Sequence, residues 1–141
     1  MKDIWKSLAV EELELYPAKK AALKTIPERI RELELAYISI GSPSADKISV
    51  QGGKENDKAL NNIAQREALA RNYAEADRFV SRVERGLNVL NDEEVELISR
   101  CYMRPEPRAV ERIAQARGVE RNTVYRKRDD ALRKFSVAMF G

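Results

Sequence analysis

Residues 113–132, IAQARGVERNTVYRKRDDAL, set one glycine between two short amphipathic segments, then crowd cations, an asparagine, a threonine and a tyrosine into one helical stretch. Ahead of Gly118, the apolar residues Val110, Ile113 and Ala114 recur at the three-to-four-residue step that lines one side of a helix. Gly118 ends that helix, because glycine takes the left-handed backbone conformation without a Cβ clash. Val119 is expected to pack in the turn, and a second helix starts near Glu120 or Arg121. Its inward residues are Val124, Ala131, Leu132 and Phe135. Ala114 is small where the two helices must approach closely. Two helices around a tight glycine turn form a helix-turn-helix unit.

The opposite face of the second helix carries chemistry that a fold alone does not need. Arg121, Asn122, Tyr125 and Arg126 project around its first turns, where a recognition helix meets base edges in the major groove. Arginine can pair in bidentate fashion with guanine, asparagine with adenine, and a tyrosine ring can meet a thymine methyl or its hydroxyl a phosphate. Thr123, Lys127, Arg128, Arg133 and Lys134, together with Arg108 and Arg112 on the preceding helix, are placed for backbone phosphates, contacts that raise affinity without reading sequence. The plainer alternative is a solvated basic helix whose arginines pair with Glu120, Asp129 and Asp130. Glycine turn, apolar spacing and cationic outer face occurring together favour DNA.

Charge distribution agrees. The net charge is +3, yet residues 104–134 hold ten Lys and Arg against five Asp and Glu. The basic part of the chain is therefore its C-terminal part, which suits a partner bearing phosphates.

N-terminal to this region the pattern is that of long helices. DIWKSLAVEELELY reads as a short helix capped by Asp3, with Ile4, Leu8 and Leu15 on one side, Trp5 and Val10 flanking them, and an end before Pro17. Trp5 is read as packing on the helices that follow. Leu23, Ile26, Ile30, Leu33, Tyr37 and Ile40 then form a heptad seam that Pro27 interrupts, so the helix kinks there or restarts near Thr25. Residues 41–57 hold three of the six glycines and read as a flexible loop. A long helix from about Lys58 to Leu90 carries a second seam: Leu69, Tyr73, Ala76, Val80, Val83, Leu87 and Leu90. Two seams joined by one loop predict a long antiparallel helical hairpin, although the same stripes serve equally between two chains as a homodimer interface. Asn91 with Glu94 has the spacing of a capping box and starts a further helix with Val95, Ile98 and Tyr102 inward. Pro105 and Pro107 end it.

The expected fold is thus all-α: a helix and hairpin over 1–90, then a helix-turn-helix domain over 91–141. Several function classes are disfavoured. The chain has no histidine, which removes Ser/His and Cys/His catalysis, and its one cysteine, Cys101, allows neither an internal disulfide nor a zinc ligand set. Cys101 reads as a small core residue. We expect no enzyme activity, no cofactor and no metal. No apolar run approaches the roughly 20 residues that cross a bilayer, and acids stand where a secretory signal has its apolar block, so the chain is expected in the cytoplasm and away from membranes.

The segments LNDEEVELISRCYM and AVERIAQARGVERNTVYRKRDDALRKF resemble region 4 of sigma-70-type factors, over about the last 50 residues. In that comparison the positions that read the promoter fall on Arg121, Asn122, Tyr125 and Arg126, while Lys127 stands where the sigma pattern has an apolar residue. With LYPAKKAALKTIPERIRELE, the QGG-containing loop and the ending RKFSVAMFG, the whole chain is similar to the ArpU/RinA-type late-transcription regulators of phages and prophages. That resemblance implies a sequence-specific regulator of phage genes bound to double-stranded DNA, with the N-terminal hairpin supplying dimerisation or contact with RNA polymerase. The alternative is a phage DNA-packaging component similar to a small terminase subunit, using the same helix-turn-helix. A third reading is a protein-interaction module whose basic tail serves solubility.

Overall fold

The computed structural model describes residues 2–41 and 52–141, and among these every regular element is helical. The helices are α1 (Lys2–Gly41), α2 (Gly52–Leu87), α3 (Asp92–Ile98), α4 (Ala109–Arg117) and α5 (Arg121–Phe140), with a π-helical turn, Ser99–Met103, continuing α3. Two compact units are present: Met1–Lys19 with Arg78–Gly141, and Lys20–Asp77. The segments on either side of residue 90 therefore belong to one unit.

Helix α1 runs unbroken through Pro17 and Pro27, against the expectation of an end at the first and a kink or restart at the second. Proline costs a helix one hydrogen bond and a clash, about 3 kcal/mol. Here one long apolar seam offsets that cost. Ala9, Tyr16, Leu23, Ile30 and Tyr37 stand seven residues apart, and Ala9, Leu13, Tyr16 and Ile26 are buried. Pro27 lies on the exposed side, where water can take the bond its ring displaces. Terminating the helix at Pro17 hid the phase of this seam. Leu8 and Leu15 stand one residue before Ala9 and Tyr16, about 100° round the helix, and with Ile4 and Trp5 they are exposed, not inward. Asp3 lies inside α1, one residue after its first, and its side chain, on which the expected cap depends, is outside the described residues. The Ile40 side chain is outside the described residues, as are 42–51, the centre of the expected loop. Gly41 and residues 52–57 are helical.

Contacts between α1 and α2 are specific. In the first unit the Tyr16 hydroxyl donates to Glu84 at 2.8 Å, and the Lys19 ammonium lies 5.8 Å from the centre of the Phe79 ring. In the second, buried Asn62 donates from Nδ2 to the Leu33 carbonyl at 2.8 Å and accepts from Arg66 Nε at 2.8 Å. A buried asparagine satisfied on both sides favours one register over slipped alternatives. Ala76, Val80, Val83 and Leu90 are buried as the heptad predicts, whereas Tyr73 is exposed and Phe79, outside the predicted seam, is buried. Helix α2 ends at Leu87, short of Leu90.

Helix α3 begins with the capping box. Asn91 Oδ1 accepts from the Glu94 amide at 2.8 Å, and Glu94 Oε1 accepts from the Asn91 amide at 3.1 Å. Glu94 Oε2 also accepts from Lys134 at 2.9 Å. Those bonds, Lys134 first and the Asn91 amide second, hold the Glu94 carboxyl below the ordinary carboxylate pKa. A lowered carboxylate pKa contributes stability that is complete above the unfolded value and is lost as pH falls through the folded one. Asn91→Ala should cost about 0.5–2 kcal/mol, read by urea denaturation near neutral pH. That loss should change little with pH, because the variant keeps the backbone amide and Lys134 that bond Glu94. The cost of Glu94→Gln, by contrast, should shrink in acid, once Glu94 is protonated, and a pH-independent cost for Glu94→Gln would contradict the role of its carboxylate in the cap.

Behind the cap, Leu97 and Ile98 are fully buried, and the expected inward residues Val95 and Tyr102 are half-buried. The π-helical turn closes where the Arg104 amide reaches the Ser99 carbonyl at 2.8 Å. Arg100 fastens the proline-rich segment after it, donating from Nε and Nη2 to Glu106 and from Nη1 to Glu96. Every helix of this unit contributes a fully buried side chain: Leu13 of α1, Val83 of α2, Leu97 and Ile98 of α3, Ile113 of α4 and Val124, Leu132 and Phe135 of α5.

Candidate nucleic-acid interface

The turn between α4 and α5 is built by backbone chemistry. Gly118 adopts φ +66°, its amide bonding the Gln115 carbonyl at 3.3 Å while the Val119 amide bonds that of Ala114 at 3.0 Å. These two bonds make a Schellman closure, which satisfies carbonyls the helix end leaves open. A Cβ at Gly118 would meet nothing within 4 Å, so only backbone strain opposes a side chain there. Gly118→Ala should lower stability by about 1–2 kcal/mol in a urea titration, and Gly118→Asn by less, since asparagine tolerates this conformation. Equal losses would mean that strain is not the cause. Val119 does not pack in the turn: its amide closes it, and its side chain is exposed.

From this turn α5 runs with Val124, Ala131, Leu132 and Phe135 buried, as their spacing predicts. Leu97, Val110, Ile113, Ala114 and Val124 form one cluster, against which half-buried Cys101 packs. Burial pushes the Cys101 thiol up, so it is not a ready nucleophile. On the other side of α5 the four expected base-reading residues, Arg121, Asn122, Tyr125 and Arg126, are all exposed. Arg121 stands 3.7 Å from Glu111, yet its side chain remains 66% exposed.

The expected phosphate-binding residues divide into two groups. Arg108, Arg112 and Arg133 are exposed, and with Arg126 they form no ion pair among the described residues. Arg108 precedes α4 in a left-handed conformation, φ 56°, unusual for a side-chain-bearing residue. Lys127 and Lys134, by contrast, bond acids of α3: Lys127 Nζ donates to Glu93 at 3.1 Å and Lys134 Nζ to Glu94 at 2.9 Å. Arg117 joins the same acidic row, donating to Glu93 at 2.7 Å. Thr123 is half-buried in the first turn of α5.

Arg128 departs furthest from expectation. Its guanidinium lies 5.6 Å from the centre of the Tyr102 ring and 5.0 Å from that of Tyr125. Its Nε is buried without a hydrogen-bond partner. Its side chain is 25% exposed, less than those of Lys127 and Lys134.

Neither these acid partners nor the approach of Arg128 to two tyrosine rings was legible in the sequence. The acids at 92–94 were legible as a helix start, but nothing local pairs them with cations more than twenty residues away. Trp5 was expected on neighbouring helices; it is 47% exposed and stacks on Phe140 with ring centres 5.3 Å apart. A cavity of about 440 Å³ lies beside it, lined by Lys6, Asp129, Asp130, Arg133 and Val137 among others.

No group of three or more potential metal-binding side chains occurs among the described residues. No helix among them is long and apolar enough to cross a membrane. No protein-family model, curated protein or solved structure matches the chain.

Proposed function

We propose that the chain is a sequence-specific double-stranded DNA-binding regulator of phage genes, in which α4, the Gly118 turn and α5 act as a helix-turn-helix. The observation that carries this reading is the outer face of α5: Arg121, Asn122, Tyr125 and Arg126 are exposed together over its first turns while Val124, Ala131, Leu132 and Phe135 are buried behind them. A helix of that make-up enters the major groove with its N-terminal residues on base edges. Arg108, Arg112 and Arg133 supply backbone phosphate contacts, while Lys127 and Lys134 serve first to fasten α5 to α3. Helices α1 and α2 form the antiparallel hairpin, a reading supported by residues early in α1 meeting residues late in α2, as in the Tyr16–Glu84 bond. The hairpin is the element that engages a second copy or RNA polymerase.

Selection of bound duplexes from a random pool tests the proposal. An enriched motif is expected, with affinity falling steeply in salt. Three phosphate contacts, or four with one further cation, predict a slope of log K against log salt of about −3 to −4. No enrichment, with a slope near zero, would overturn the reading. Enrichment by a ring of many subunits in light scattering would instead assign the chain to DNA packaging.

A further inference from the structure

We infer that Arg128 is a positioning residue for DNA reading: held on the ring of Tyr102, it fixes the ring of Tyr125 for contact with a base. The inference rests on the proposed DNA binding and adds a specificity determinant to it. Tyr125 and Arg128 are three residues apart on α5 and so share a face. Tyr102 comes from the π-helical turn, a different element. Both rings lie within the roughly 6 Å at which a guanidinium is attracted to an aromatic face.

Three features separate Arg128 from the phosphate-binding cations of the same helix. Its side chain is only 25% exposed, with one guanidinium nitrogen 3.6 Å from Asp129. The buried Nε is sealed from any phosphate. The guanidinium charge also acts on the thiol of Cys101, beside Tyr102, opposing the effect of burial there. A cation with an unsatisfied buried nitrogen is costly to keep, and attraction to two aromatic rings is what this one gains. Tyr125, 38% exposed, therefore rests on a charged plate instead of swinging freely. Ordering a side chain before binding removes part of the entropy that recognition would otherwise cost. A lysine would keep the charge of Arg128 but not the flat surface.

Fluorescence anisotropy on the selected duplex and its single-base variants tests the assignment, with a thermal melt of each protein alongside. Arg128→Lys and Tyr102→Leu should both flatten preference at the one position that Tyr125→Ala flattens, by about three- to tenfold. The salt slope should stay unchanged, and Tyr102→Phe should behave as the unaltered chain. In a Tyr125→Ala background, Arg128→Lys should have no further effect on that position. Unchanged preference, or an equal loss for every sequence in step with a lower melting temperature, would overturn the inference by making Arg128 indifferent or purely structural. So would a salt slope reduced by about one in Arg128→Met, the mark of a phosphate ligand. If the unaltered chain enriches no motif, the DNA-reading proposal fails and this one with it. If it enriches one and the variants read it normally, only the role of Arg128 fails.

Discussion

Phe135→Ala is expected to lower the unfolding free energy by about 3–5 kcal/mol, a large part of the roughly 5–15 kcal/mol that holds an ordinary domain together. Phe135 is wholly buried, and its ring lies against Gly86 of α2, where an added Cβ would come 2.8 Å from Phe135 Cε2 and 2.9 Å from Met139 Sδ. That closeness explains a glycine inside a helix, which costs about 1 kcal/mol relative to alanine. The two positions should therefore be coupled. Gly86→Ala alone should destabilise despite its better helix propensity; in the Phe135→Ala background it should be neutral or stabilising. Urea denaturation followed by circular dichroism measures all four chains. A loss below about 1 kcal/mol for Phe135→Ala, or strict additivity, would show that the C-terminal helix does not depend on this contact.

Arg126→Ala should cost about 1–3 kcal/mol on the preferred duplex, roughly 5- to 150-fold, and relax preference at one position while leaving binding to random duplex far less affected. Arg126 is exposed on the outer side of α5, so its loss opens no cavity and should leave the melting temperature nearly unchanged. Arg133→Ala, also exposed, supplies the contrast: a weaker, uniform loss across all sequences with a shallower salt dependence. Titration of both variants against selected and random duplexes separates the roles. A uniform loss for Arg126→Ala would move that residue to the phosphate-contacting group and weaken the case for groove reading.

The turn and both its helices were legible because their causes are local. Gly118 is needed for a left-handed residue, and Val124, Leu132 and Phe135 follow the period of a helix, so neither depends on distant partners. The Asn91–Glu94 cap was legible for the same reason. The phase of α1 was obscured by Pro17, because a proline predicts an end locally and only the seam running through it predicts continuation. Of the candidate DNA-binding residues, the exposed quartet was readable from helix geometry. The fates of Lys127, Lys134 and Arg128 were not, since charge and spacing place a side chain on a face without naming the neighbour it meets.

Backbone preference and apolar periodicity sufficed to make the chain helical, to place its glycine turn and to choose which side of α5 is hidden. Packing decided which cations remain available. The acids of α3 lie 24 to 40 residues from the Arg117, Lys127 and Lys134 side chains that bond them, and Tyr102 meets Arg128 from within the π-helical turn, 26 residues away. Such contacts depend on how helices dock, and docking follows from the shape of the shared core, a property of the assembled side chains that no short window of residues contains.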